Sequence, residues 1–333
     1  MPINRKVMGV SRGRVFTGAL SGSTTIAAGT TPRGVCISAD GKSVYAARSG
    51  NIQIFDRNTT TGALSGTSTI AGSSPYGICI SADGSSVYAT NFNNNTVSIF
   101  SRNVSTGALS GTSTIATGSR PYNICISADG KSVYTANYIG ATVSIFDRNT
   151  TTGALSGTST IAGSSPYGIC ISADGSSVYA TNFNSNTVSI FSRNVSTGAL
   201  SGTSTIATGS VPRSICISAN GASVYTANYS GGTVSIFDRN TSTGALSGTS
   251  TIAALYPYGI CIAADGVSVY TANLGNATVG IYTRNTGTGA LSGTSTIAAG
   301  DEPFGICIAA DGTNVYSTGS GSGSNKVHIF TRS

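Results

Sequence analysis

Short apolar runs alternate with turn-forming stretches along the whole chain. Residues 75–103 read "PYGICISADGSSVYATNFNNNTVSIFSRN", in which the apolar run GICIS is followed by the tight-turn signal ADG. The runs SVYAT and TVSIF come next, and RNxxTG turns the chain again. GALSGTSTIA then completes the unit, with Gly and Ser that suit a twisted outer edge. Each such unit therefore predicts four β-strands.

This unit occurs seven times. A proline opens each copy, and successive prolines are 43 to 46 residues apart. The prolines are Pro32, Pro75, Pro121, Pro166, Pro212, Pro257 and Pro303. Four-stranded units with a period of this length are typical of β-propeller blades.

The two ends of the chain predict how the units are joined. The last unit stops at "IFTRS", after its third strand, and the first unit is preceded by "VFTGALSGSTTIA", a fourth strand without a unit. An open solenoid would need atypical capping repeats instead. We therefore expect one all-β domain over 15–333, a seven-bladed propeller closed by the N-terminal strand joining the C-terminal blade, with 1–14 as a basic N-terminal tail.

A longer repeat, which contains parts of two neighbouring units, also occurs twice. Residues 55–119 and 146–210 differ only where Asn94 is replaced by Ser185. This pattern indicates that two blades were copied in tandem, recently or by design.

The composition supports strands and excludes some functions. Only 9% of residues are charged, there is one Glu and one His, and Trp is absent. Glu and Lys, with which helices are usually built, are nearly absent, while the abundant Val, Ile, Thr and Tyr favour strands. No run of twenty apolar residues predicts a membrane-spanning helix, and the N-terminal stretch has no apolar region typical of a signal peptide. The net charge of +7 comes without a basic run and is weak support for nucleic-acid binding.

Several motifs resemble a known family. "SVYATN" and "SVYTAN", each followed by "TVSIF", resemble the YVTN-type propeller repeat, and "FDRNTTTGALS" is similar to the same stretch of lactonase-like seven-bladed propellers. That group contains the 6-phosphogluconolactonases. The resemblance covers 15–333 and implies the fold, whereas the superfamily contains binding modules as well as enzymes.

Seven cysteines lie one to a blade, each in the middle of the predicted innermost strand. They are Cys36, Cys79, Cys125, Cys170, Cys216, Cys261 and Cys307. No CxxC spacing is present, so a metal or redox ring is the less favoured interpretation. We expect small buried apolar side chains, and we expect neither a metal nor a cofactor. Unpaired thiols favour a reducing, cytoplasmic location.

Differences among the seven copies indicate where a function would lie. They collect before and after the opening proline and in the loop between the second and third strands, which share one face of a propeller. The predicted ligand-binding residues are Arg33, Arg48, Tyr76, Arg120, Tyr122, Tyr167, Arg213, Tyr258 and Phe304. Tyr supplies a flat ring with a hydroxyl, and Arg grips carboxylate or phosphate, so this ring suits a small anionic or sugar-like ligand. The alternative is that the aromatic residues pack between blades and the arginines are solvated.

Candidates for catalysis are few. His328 lies off the axis, and Glu302, beside Asp301, is the weak candidate for a general base near the channel mouth. Glu302 could equally be a salt-bridged loop residue.

Four hypotheses remain open from the sequence. The first is a non-enzymatic binding or scaffold propeller, monomeric, which takes a small ligand or a protein partner on the Tyr/Arg face. The second is a lactonase-like hydrolase, and the third, with less support, is a nucleic-acid binder. The fourth is a designed or recently amplified repeat protein with no evolved ligand.

Overall fold

The computed structural model describes residues 16–300, 302–321 and 325–333, so the predicted tail over 1–14 lies outside the described residues. Twenty-eight strands and one short 3-10 helix, Leu274–Asn276, occur in this part of the chain. The first fourteen strands are β1 Leu20–Ala27, β2 Val35–Ile37, β3 Ser43–Arg48, β4 Asn51–Arg57, β5 Leu64–Ala71, β6 Pro75–Ile80, β7 Ser86–Asn91, β8 Thr96–Arg102, β9 Leu109–Ala116, β10 Pro121–Ile126, β11 Ser132–Asn137, β12 Thr142–Arg148, β13 Leu155–Ala162 and β14 Pro166–Ile171. The others are β15 Ser177–Asn182, β16 Thr187–Arg193, β17 Leu200–Ala207, β18 Pro212–Ile217, β19 Ser223–Asn228, β20 Thr233–Arg239, β21 Leu246–Ala253, β22 Pro257–Ile262, β23 Ser268–Asn273, β24 Thr278–Arg284, β25 Leu291–Ala298, β26 Pro303–Ile308, β27 Asn314–Gly319 and β28 Lys326–Arg332.

These strands form seven antiparallel four-stranded sheets. Six sheets use consecutive strands, from β2-β3-β4-β5 to β22-β23-β24-β25. The seventh has the order β1-β28-β27-β26, so the N-terminal strand closes the last blade. The predicted seven-bladed ring and its closure are confirmed. No helix in the described ranges is long and apolar enough to cross a membrane.

Closure depends on a register between distant parts of the chain. Leu20 pairs with Arg332 and Ala27 pairs with Lys326. Just before β1, the amide of Thr17 donates to the carbonyl oxygen of Ser333 at 2.7 Å. The first and last blades are thereby joined by the same antiparallel ladder that joins neighbouring strands elsewhere.

The hydrophobic core lies between the blades. In one interface, Tyr45 and Ile52 of the first blade pack with Val87 and Phe100 of the second, and all but a trace of their surface is buried. The same arrangement recurs around the ring, because alternate residues of each strand point towards one neighbouring blade or the other. The outer strands differ: Ser65 to Thr69 of β5 are exposed, as are the matching residues of the other outer strands.

A buried arginine connects each blade to the one before it. Arg148 has 5% of its surface exposed, and its Nε donates to the hydroxyl of Tyr88 in the preceding blade at 2.6 Å. One terminal nitrogen donates to the carbonyl oxygen of Gly130 at 3.1 Å, and the other to Asp83 at 3.2 Å. We call this Arg–Tyr–Asp set the interblade latch.

The latch recurs at every blade, and in one blade its aspartate is replaced by asparagine. The arginines are Arg57, Arg102, Arg148, Arg193, Arg239, Arg284 and Arg332, and each bonds a tyrosine hydroxyl of the preceding blade. Six of them also pair with an Asp of the ADG turn. Opposite Arg284 the turn carries Asn220 instead, and Arg284 still bonds Tyr225 and Gly266.

Candidate functional site

The strand registers divide the ring into two faces. Pro75 pairs with Asn91, and Thr96 pairs with both Asn91 and Ala116, so these strand ends lie together. We call this end, with the loop before each first strand and the loop between the second and third strands, the loop face. The ADG and RNxxTG turns lie at the other end, the turn face.

A cavity of about 130 Å³ lies at the centre of the loop face, where the innermost strands meet. The residue after each opening proline lines it in all seven blades. These residues are Arg33, Tyr76, Tyr122, Tyr167, Arg213, Tyr258 and Phe304. An apolar cavity of about 150 Å³ holds benzene, so this cavity is close to the size of one six-membered ring, and the rest of a larger ligand would lie outside it.

Arg213 is the centre of the polar contacts in the cavity. One of its terminal nitrogens donates to the hydroxyl of Tyr167 at 2.5 Å and to that of Tyr258 at 3.2 Å. The hydroxyl of Tyr258 also bonds those of Tyr122 and Tyr167. The guanidinium carbon of Arg213 lies 4.7 Å from the ring centre of Tyr258 and 4.7 Å from that of Phe183. The Nε of Arg213 is buried and has no hydrogen-bond partner among the described residues.

A second guanidinium lies across the mouth. Arg33 belongs to the first blade and Arg213 to the fifth, so three blades separate them one way around the ring and two the other. The guanidinium carbon of Arg33 lies 4.3 Å from the ring centre of Tyr76 and 5.2 Å from that of Phe304. Rings flank both cations, which holds them in place by cation–π attraction.

The cavity is positive, and its buried phenols stay protonated. Burial raises the pKa of Tyr122 and of Tyr167 well above that of a free phenol. Arg33 and Arg213 are charged at any ordinary pH. Among the described residues that line the cavity there is no carboxylate and no imidazole. The mouth therefore offers cations and neutral hydroxyls to a ligand that carries negative charge.

Three predicted site residues lie away from the cavity. Arg120 is exposed, and its guanidinium lies over Phe92, 4.8 Å from the ring centre. Arg48 ends β3 in the place of the buried asparagine of other blades, and its longer side chain passes along Gly29. Glu302 lies in a separate, shallow depression with Tyr229. Neither arginine follows a proline on the innermost strand, which is why neither reaches the mouth.

Two polar residues that line the cavity were not predicted from the sequence. Asn123 and Ser214 line the cavity one position after the Tyr/Arg ring, where the other five blades carry glycine. The seven copies of the repeat differ at that position, and this difference could have identified both residues.

The cysteines and the histidine lie elsewhere. All seven cysteines are free, and as whole residues they are partly buried, with their side chains packed against the hydrophobic clusters between the blades. Burial raises the pKa of the Cys79 thiol to about 12.

His328 is buried in the last blade, and the centre of its ring lies 6.4 Å from that of the stacked Phe330 ring. No cluster of His, Cys, Asp or Glu in the described ranges could hold a metal ion.

Charge is divided unequally between the two faces. The turn face carries nine aspartates, Asp40, Asp56, Asp83, Asp129, Asp147, Asp174, Asp238, Asp265 and Asp311. It also carries nine basic residues, the seven latch arginines with Lys42 and Lys131. The loop face carries Arg33, Arg48, Arg120, Arg213 and Lys326, and Glu302 is the one acidic residue described there. The turn face is thus neutral in sum and the loop face positive.

Comparisons with known proteins agree with this architecture. The model of the family "Lactonase, 7-bladed beta-propeller" matches 67–170 and 159–262, which together span more than half of the chain. No curated protein sequence matches the chain significantly.

Solved structures with the same fold share little sequence with it. A candidate 6-phosphogluconolactonase of Bacteroides fragilis is 24% identical with a TM-score of 0.73, covering 86% of each chain. A candidate 6-phosphogluconolactonase of Bacteroides uniformis is 23% identical with a TM-score of 0.77, covering 92% of this chain and 93% of its own. The periplasmic gluconolactonase of Pseudomonas aeruginosa is 16% identical with a TM-score of 0.69, covering 81% and 86%. At these identities the likeness shows the fold, while the family match shows the membership: the chain belongs to the lactonase family of seven-bladed β-propellers.

Proposed function

We propose that the channel mouth binds a sugar lactone, or the sugar acid that forms from it, and that opening of the lactone ring is the reaction. Family membership and the lactonases among the similar structures support this choice over a scaffold without a ligand. The observation that carries it is Arg213, a cation that lines the cavity and is held there by the hydroxyls of Tyr167 and Tyr258.

The contacts of Arg213 suit the charge that develops during ring opening. When water adds to the lactone carbonyl, the carbonyl oxygen becomes an oxyanion. The Arg213 guanidinium is a donor already fixed in place by the hydroxyls of Tyr167 and Tyr258, and such a donor stabilises an oxyanion without reorganising. The two bonds among the hydroxyls of Tyr122, Tyr167 and Tyr258 use two phenol hydrogens, which leaves one to donate to the oxyanion. A phenol can also give a proton to the departing ring oxygen and regain one from the added water.

A second candidate is binding without turnover. The raised pKa of Tyr122 and of Tyr167 keeps both groups as neutral phenols near neutral pH, so neither is present as the phenolate that could take a proton from water. Arg33 and Arg213 could then hold the carboxylate or phosphate of a sugar acid as a stable complex.

The test compares the wild type with Arg213→Gln. We expect wild-type protein to open δ-gluconolactone or 6-phosphogluconolactone faster than buffer alone, as followed by proton release in a pH-stat. Removing one oxyanion donor typically lowers the rate about 100-fold or more, and Arg213→Gln should lower it by that order. Arg120→Gln is the matched control, because it removes the same charge from the same face outside the cavity.

Calorimetry with gluconate and 6-phosphogluconate separates the two candidates. Binding that Arg213→Gln abolishes, without turnover above the buffer rate, supports the second candidate over the first. If the wild type neither binds the acids nor opens the lactones, both candidates are wrong.

A further inference from the structure

The positive charge of the loop face extends beyond the cavity. Arg120 is exposed on this face, directly before the innermost strand β10, and does not line the mouth. The turn face has no comparable excess, because its aspartates match its basic residues in number and six of them pair with latch arginines. In the described part of the chain, the net positive field therefore leaves the molecule from the loop face.

Exposed apolar side chains lie beside this charge. Ile139 is 58% exposed, and its loop contacts that of Arg120, since the amide of Tyr138 donates to the carbonyl oxygen of Arg120 at 3.0 Å. On another sector of the same face, Leu255 is 48% exposed and Tyr256 is 51% exposed. Arg120 and Ile139 thus place a cation next to an exposed apolar side chain on the loop face. Leu255 and Tyr256 form a separate exposed apolar pair on the same face.

The aromatic rings of the loop face are mostly covered by one another. Tyr76 stacks on Phe92 with centres 4.5 Å apart, and Arg120 covers Phe92 as well. Tyr122 and Tyr167 also stack, with centres 3.5 Å apart. Single-stranded nucleic acid binds by stacking successive bases on free ring faces, and among the described rings of this face only Tyr256 is exposed. The loop face therefore offers a partner mainly positive charge and exposed apolar side chains, and these favour a peptide over a nucleic acid.

We propose that the loop face outside the cavity docks an acidic segment of a partner protein that also carries apolar side chains. Arg120 attracts the carboxylates, and Ile139 beside it contacts the apolar residues. Interfaces commonly combine apolar anchors with charges at the rim that steer association. This proposal concerns residues that do not line the mouth, so it stands apart from the sugar-acid site.

The test uses a fluorescein-labelled peptide of Glu-Glu-Leu repeats, followed by fluorescence anisotropy. We expect saturable binding that weakens as salt is raised, because exposed charges are screened. Arg120→Glu should raise Kd about tenfold, and Ile139→Asp should do so by a similar factor. Lys131→Glu and Val195→Asp are matched controls: each makes the same kind of change at a turn-face position, where Val195 is 52% exposed, and should leave Kd within about twofold.

Four outcomes would overturn the proposal. One is the absence of binding by the wild type, and a second is an equal loss in the turn-face controls. A third is tighter binding of a labelled oligo-dT than of the peptide, which would identify the surface as a nucleic-acid site. The fourth is displacement of the peptide by gluconate, which would mean that its carboxylates only enter the cavity. Melting temperatures of all variants exclude loss of fold as the cause.

Discussion

Replacing Arg148 by Leu is expected to lower the free energy of unfolding by about 3 kcal/mol, because breaking a buried, hydrogen-bonded charge set typically costs this much. Leu supplies none of the bonds that Arg148 makes to Tyr88, to Gly130 and to Asp83. The hydroxyl of Tyr88 would lose its donor inside the blade interface. For a chain of this length the loss corresponds to a fall in Tm of roughly 4 °C. Thermal and urea unfolding followed by circular dichroism measure it.

Two further variants separate the latch from a general effect of arginine. Arg120→Leu removes an exposed arginine and should change the stability by less than about 0.5 kcal/mol. Asp83→Asn keeps the arginine and weakens one contact, so it should cost about 1 kcal/mol or less; the chain already carries Asn220 opposite Arg284. If Arg148→Leu costs no more than Arg120→Leu, the latch does not stabilise the ring.

The second large effect is a loss of stability in acid. Burial alone would raise the pKa of Asp83, but bonds from Ser81 and Ser85 and the charge of Arg148 lower it from 3.8 to about 2. The pKa values of Asp40, Asp129, Asp174 and Asp311 are lowered by the same kinds of contact. A carboxyl whose pKa is lowered by folding contributes stability above its unfolded pKa and loses it as the pH falls through the folded pKa.

We therefore expect stability to hold as the pH falls to about 4 and then to decline down to about pH 2. These side chains are about a third or more exposed, so solvent screens each contribution to about 0.5 kcal/mol and the set to about 2.5 kcal/mol. Urea unfolding at a series of pH values measures the decline. Asp83→Asn should reduce it by about a fifth. A curve that stays flat from pH 4 to pH 2 would contradict the assignment.

The sequence was sufficient for the fold because the repeat encodes it locally. Each copy contains the alternation and the turn signals for four strands, and the strand before Pro32 could pair only with the incomplete last copy. The latch could not be predicted in this way. Arg102 and Asp40 are recognisable as repeat positions, but the bond between them joins two blades across 62 residues, and local periodicity does not show how blades pack.

The site was predictable to the extent that it follows the repeat. All seven residues after the opening prolines reach the cavity, since the innermost strands of all blades have the same place at the axis. Arg48 and Arg120 do not, because neither lies on an innermost strand: Arg48 ends β3, and Arg120 lies in the loop before β10. Arg120 also has a φ of 54°, in the left-handed region. Whether a side chain beside a strand reaches the axis depends on such backbone angles, which composition and spacing do not specify.

The closing ladder between β1 and β28 has a consequence for biosynthesis. β1 is made before the other described strands, yet its partner is made about 300 residues later, which at ordinary elongation rates takes roughly 15 to 60 s. Six other strands with nearly the same sequence, LSGTSTIA, are made and paired in that interval. Because their sequences barely differ from that of β1, residue preference cannot select β1 for the last blade. Chain connectivity does so, since every other outer strand is already held by the hairpin that precedes it.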